Sequence, residues 1–337
     1  MADDPIRIAV VGPVTGAARL TTRAIEAGAR RAIGELSATG SQRFTLITED
    51  DGCDPQTATT KAHGLIAAGV DLVLGHPCTK AAIAAAEVYA QSSVVFIATH
   101  TRHPALTANG RRASIFRLCG RDDGQGRDAA RILLGLSGDK PIAIVNDRTL
   151  YAKTIAEAAE RVVRAAKAQM ITATVIAGQK EYPRLVSKIK DASIVFYAGF
   201  PLEAGFITSE LLSAGSGARI IASDAVATRE LPASFPQITS KIDVLMRADD
   251  ETDETLARAA VEIFTHAYVR AYGPVRDQWM SDAATRSALA AGILAKAGPH
   301  ASTSGPIAFD AAGDADVTSY KLMQWDGKNW VPARRSF

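Results

Sequence analysis

Short, wholly apolar runs alternate with helix-length stretches through most of this chain, and no other feature constrains its fold so tightly. Residues 6–11, 44–48, 70–74, 94–98 and 115–118 read as strands. Helical patterns follow the first three; in the earliest, Ile25, Ala29, Ala32, Ile33 and Leu36 recur at helical spacing. Strands joined by helices of this length predict right-handed βαβ units and a parallel sheet. The pattern then restarts, with strands predicted at 141–145, 170–175, 193–197 and 219–222. Three helices lie between them, one with Ile155, Ala159, Val162 and Ala166 on one face. The chain is therefore expected to form α/β architecture in two doubly wound parallel-sheet units, with a boundary near Cys119-Gly120. After a strand-like run at 242–246 come two long helical patterns, 255–272 and 277–296. Helices without strands of their own must pack on an existing sheet, so the chain is expected to return to the first unit. Short strand-like runs around Ile307 and at 320–325 close the chain.

Composition narrows the function. The 337 residues are 47% hydrophobic with a net charge of +2, and basic and acidic residues are interspersed. No charge run suggests a nucleic-acid or membrane surface, and no apolar stretch approaches the ~20 residues of a membrane span. The opening Met1-Ala2-Asp3-Asp4-Pro5 fits a cytoplasmic terminus or an initiator Met on a processed secreted chain equally well.

The turns carry the chemistry. Gly75-His76-Pro77-Cys78-Thr79 joins a buried strand to an alanine-rich helix, with Thr79 expected at the N-cap. A helix start at a strand's carboxyl end is a ready anion site, although an ordinary capped helix satisfies the same pattern. Gly12-Pro13-Val14-Thr15-Gly16 lacks the P-loop Lys-Ser/Thr, no Gly-x-Gly-x-x-Gly follows a strand, and there is no Gly-x-Ser-x-Gly elbow. His100 and His103 share a loop without zinc-type spacing. No metal or other cofactor is expected, and an enzyme reading has little support. Cys53 and Cys78 each sit in the turn after a strand, and those two strands are expected to be neighbours in one sheet, which puts the pair within disulfide reach. Their spacing allows a disulfide or two thiols. Cys119 ends an apolar strand and reads as a small buried hydrophobe.

Several segments together resemble one family. Ile6-Arg7-Ile8-Ala9-Val10-Val11-Gly12, Asp50-Asp51-Gly52-Cys53-Asp54-Pro55, Gly75-His76-Pro77-Cys78, Pro104-Ala105-Leu106-Thr107 and Ile142-Ala143-Ile144-Val145-Asn146-Asp147 resemble the leucine/isoleucine/valine-binding proteins. These are type I periplasmic solute-binding components of branched-chain amino acid ABC importers. The resemblance implies two lobes joined by three crossovers, residues 1–119 plus 249–321 and 120–248 plus 322–337, with a ligand in the cleft and closure on binding. It implies a Cys53–Cys78 disulfide, a periplasmic location with Met1 replacing a removed signal peptide, a membrane permease as partner and no nucleic acid. A monomer is expected. It also assigns a ligand set. Thr79 and the loop His100, Thr101 and Arg102 would meet a ligand carboxylate, Asp224 an ammonium, and Tyr151 and Phe200 would wall the pocket. Two positions depart from the family. Arg102 stands where a threonine is usual, adding a permanently charged, bidentate donor, and Phe200 replaces a tyrosine. The expected ligand is an amino acid or similar small carboxylate. The alternatives are an aromatic or aliphatic carboxylate without an amine, and a ligand-sensing regulator on the same fold.

Overall fold

The computed structural model describes residues 5–16, 18–40, 42–108, 113–247, 251–272, 283–296, 298–315 and 320–333. The chain divides into two compact units, Met1–Arg121 with Glu251–Val317, and Asp122–Asp250 with Thr318–Phe337, so it passes from one unit to the other three times.

The first unit is built from β1 (Ile6–Val11), α1 (Arg19–Thr39), β2 (Phe44–Glu49), α2 (Pro55–Ala67), β3 (Leu72–Gly75), α3 (Thr79–Gln91), β4 (Val95–Ala98) and β5 (Ile115–Arg117). The strands form a parallel five-stranded sheet in the order β2-β1-β3-β4-β5. Each strand sends alternate side chains to opposite faces, and both faces are covered. Ile6, Ile8 and Val10 of β1 pack with Ile25, Ala29 and Ala32 of α1, while Ala9 and Val11 pack with α2 and α3. Gly75 shows how tightly the centre is built. Its φ is +113°, and a Cβ there would lie 2.2 Å from the Val11 carbonyl oxygen, so only glycine fits.

The second unit contains α4 (Asp122–Ser137), β6 (Ile142–Asn146), α5 (Leu150–Ala165), β7 (Met170–Thr174), α6 (Pro183–Ile189), β8 (Ile194–Ala198), α7 (Pro201–Ser213), β9 (Arg219–Ala222), α8 (Glu230–Ser234) and β10 (Ile242–Arg247). The chain then returns to the first unit as α9 (Asp253–Tyr272) and α10 (Ala283–Lys296). Both join the core against β1 and α1, as two helices without strands require. Residues 277–282 of the longer predicted helix lie outside the described residues. Around Ile307 there are isolated bridges, His300 to Ile307 and Phe309 to Ala315, rather than a strand.

Finally β11 (Tyr320–Trp325) and β12 (Trp330–Pro332) complete a seven-stranded sheet in the order β12-β11-β10-β9-β8-β6-β7. Its last two strands run antiparallel, an edge hairpin on an otherwise parallel sheet. The boundary expected after residue 321 would cut β11, whose Tyr320 and Lys321 pair with Arg247 and Met246 of β10.

Candidate functional site

Doubly wound sheets bind ligands beyond the carboxyl ends of their strands, where the strand order reverses. In the first unit that place lies beside β1, which is flanked by β2 and β3. In the second it lies beside β6, flanked by β7 and β8. All seven residues expected to meet a ligand fall in loops or helix starts at these ends.

In the first unit the turn after β3 opens α3. The helix begins at Thr79 itself, and Cys78 occupies the N-cap position with extended backbone (φ −87°, ψ 117°). The cap expected at Thr79 is thus displaced by one residue, to Cys78, which a disulfide joins to Cys53 with Cα atoms 5.3 Å apart. Thr79 remains in the first turn, among the N–H groups that a helix start leaves to an acceptor. Its neighbour His76 is fully buried with φ +42°. His76 Nδ1 lies 2.9 Å from Asp51 Oδ2 and Nε2 lies 3.0 Å from the Tyr89 hydroxyl. Burial, with the Asp51 charge adding to it, pushes the Tyr89 phenol well above its usual range. This buried chain of polar groups was not singled out from the residues. Asp51 and Tyr89 sit in stretches that read as an acidic turn and an ordinary helix, and only the fold joins them.

The loop after β4 carries the other three. Thr101 is 1% exposed, and its hydroxyl donates to the His76 carbonyl at 2.8 Å. Its side chain therefore pins one loop to the other, and the next residue, Arg102, is half-buried. His100 is more exposed, with Nδ1 3.0 Å from Asp253 Oδ1 at the start of α9. Cys119 is buried and outside the disulfide. It lies two residues beyond β5, rather than in the strand, with Sγ 3.5 Å from the Thr101 carbonyl.

In the second unit Tyr151 is the second residue of α5, Phe200 precedes α7 and Asp224 follows β9. The structure brings these three together. The Tyr151 hydroxyl donates to Asp224 Oδ1 at 2.5 Å and accepts from the Ala225 N–H at 3.2 Å. The Tyr151 and Phe200 rings lie 5.8 Å apart, and Phe200 is 42% exposed. Beneath them Tyr197 is buried, and a Cβ on Gly199 would fall 2.2 Å from its hydroxyl. Burial and the nearby Asp147 and Glu203 carboxylates hold the Tyr197 phenol far above its usual range. Among the described residues there is no cluster of three or more His, Cys, Asp or Glu arranged for a metal ion, and no helix long and apolar enough to cross a membrane.

Two doubly wound α/β units linked by three passes of chain, each with polar groups gathered at its switch point, define the architecture of type I periplasmic binding proteins. The chain belongs to the periplasmic binding protein family, whose model matches residues 5–324. A Pseudomonas aeruginosa protein named "Amino acid binding protein" is 28% identical over 339 residues, covering 95% of this chain and 90% of its own. Among solved structures, the branched-chain amino acid transporter substrate-binding protein LivJ of Streptococcus pneumoniae, in complex with isoleucine, superposes with a TM-score of 0.71 at 19% identity. It covers 98% of this chain and all of its own. A solute-binding protein of an R. palustris ABC transporter, in complex with benzoate, has a TM-score of 0.72 at 16% identity, covering 98% and 95%. At these identities the two structures share the fold.

Proposed function

We propose that this chain is the extracytoplasmic solute-binding component of an ABC importer, and that both half-sites address one small carboxylate-bearing ligand, an amino acid in the first instance. The observation that carries this is the opposite polarity of two topologically matching places. At the first unit's switch point stand a helix N-terminus and Arg102, which suit an anion. At the second stands Asp224, a half-buried carboxylate aimed by Tyr151, which suits a cation. A zwitterion presents both charges. The P. aeruginosa relative named for amino acids supports the same reading. The role is one of binding, with a membrane permease as partner and the periplasm as location; the Cys53–Cys78 disulfide supports an oxidising compartment over a cytoplasmic sensor.

A second reading has its own support. Tyr151 already supplies Asp224 with a donor, and Phe200 offers an exposed aromatic face beside it, so a carboxylate without an amine, as in the benzoate complex, also suits these residues. A thermal-shift screen against amino acids and organic carboxylates separates the two. Ligand at 100 times its dissociation constant stabilises by about 2.7 kcal/mol. A shift with amino acids and none with their deaminated analogues is expected; a shift with benzoate-like acids alone favours the second reading, and no shift with either class contradicts both.

A further inference from the structure

Arg117, the last residue of β5, is completely buried. A guanidinium cannot shed its charge, so its surroundings must supply acceptors on every side. Nε donates to Asp314 Oδ1 at 2.7 Å, and Nη2 donates to the Thr107 hydroxyl. Nη1 donates to the His103 carbonyl at 2.8 Å and, at 3.4 Å, to the Thr101 carbonyl. The Thr107 hydroxyl lies 3.1 Å from both Asp314 oxygens, and Asp314 Oδ2 also accepts from Arg121 Nη1 at 2.9 Å. The backbones join as well. Arg117 donates its N–H to the Gly313 carbonyl and accepts from the Ala315 N–H, so residues 313–315 lie along the sheet edge.

Two features of this network reach beyond packing. The carbonyls of Thr101 and His103 flank Arg102, the residue that departs from the family pattern. Arg121 is the last residue of the first unit before the chain leaves it, and residues 313–315 lie just ahead of the final departure after Val317. We propose that Arg117 and Asp314 form a buried positioning latch: Arg117 sets the backbone of Arg102 from both sides, and Asp314 ties that loop to the two segments that cross between units. The consequence for binding rests on the reading of residues 100–102 as ligand-facing. The latch itself rests on geometry within the first unit.

Amide hydrogen exchange on the full chain, without ligand, tests it. The N–H groups of Ala105, Leu106 and Thr107 are hydrogen-bonded within the loop, and those of Arg117 and Ala315 across the sheet edge, so both sets begin protected. Lysine keeps a charge for Asp314 but cannot also span the two loop carbonyls. Arg117→Lys is therefore expected to speed exchange at 105–107 about tenfold while sparing 117 and 315. Asp314→Asn should speed both sets. Thr107→Val leaves both charges in place and should speed the loop alone, so it and Arg117→Lys decide the matter if Asp314→Asn fails to fold. Amides of β1 and β3 should exchange as in the wild type. Unchanged loop exchange in Arg117→Lys and Thr107→Val overturns the latch, as does exchange in β1 and β3 rising in step with the loop. A failed ligand reading shows in the ligand screen and leaves these rates as they are.

Discussion

At the residue scale the proposed second half-site turns on the Tyr151–Asp224 hydrogen bond. A hydroxyl donating to a carboxylate is a charge-assisted bond, worth roughly 1.5–3 kcal/mol, and it fixes where the second carboxylate oxygen points. Tyr151→Phe keeps the ring against Phe200 and removes that aim. It is expected to weaken an amine-bearing ligand about tenfold by titration calorimetry, with little effect on a ligand lacking the amine. Equal affinity for the amine-bearing ligand would mean that Asp224 needs no aiming. Arg102→Thr restores the usual family residue; it should weaken an acidic or bulky carboxylate and leave leucine unharmed or improved, and a variant that loses leucine as well would contradict a selective role for Arg102. These proposed roles come from the resemblance rather than from the residues themselves. Asp224 in Ser223-Asp224-Ala225 reads equally as a helix cap, and its tie to a tyrosine 73 positions earlier is a product of the fold. Arg117 did leave a local trace, a charge inside an apolar strand, but its partner Asp314 lies 197 positions away.

Among the elements, β3 and its turn combine a close backbone approach with a positive φ. Gly75→Ala places a methyl against the Val11 carbonyl in a backbone region that L-residues avoid. It is expected to cost at least about 2 kcal/mol in urea denaturation. Gly138→Ala has a positive φ but open space around it, and should cost about 1 kcal/mol; equal costs would show that the close approach to Val11 adds nothing. Buried strands were the most readable elements, because a parallel sheet covered on both faces writes itself as continuous apolar runs. The helix α4 is hard to read from the residues. Gly124, Gly126 and Gly135 dilute its helical pattern, yet Gly126 is what permits its packing, since a Cβ there would fall 2.2 Å from the Ile155 carbonyl of α5. The edge strand β12 is too short for any periodicity to show.

Across the whole molecule, the disulfide joins the turns after β2 and β3; spacing alone leaves its formation open, and although β1 separates the two strands expected to be neighbours, their turns bring the Cα atoms to 5.3 Å. Closing a 25-residue separation stabilises the chain by about 3.5 kcal/mol through the unfolded state. Reductant, or replacement of both Cys53 and Cys78 by Ala, should lower the unfolding free energy by about that amount. Alkylation of the denatured, unreduced protein should modify Cys119 alone, and three modified cysteines would contradict both the bridge and the extracytoplasmic assignment. If groups from both units hold one ligand, titration calorimetry with the best ligand of the screen reads the contribution of each. The wild type should bind one ligand per chain. Thr79→Val, from the first unit, should weaken it about tenfold, and Asp224→Ala, from the second, should weaken an amino acid at least a hundredfold, with both melting temperatures unchanged. Full affinity in one variant beside abolished binding in the other would place the ligand on a single unit and rule out shared binding.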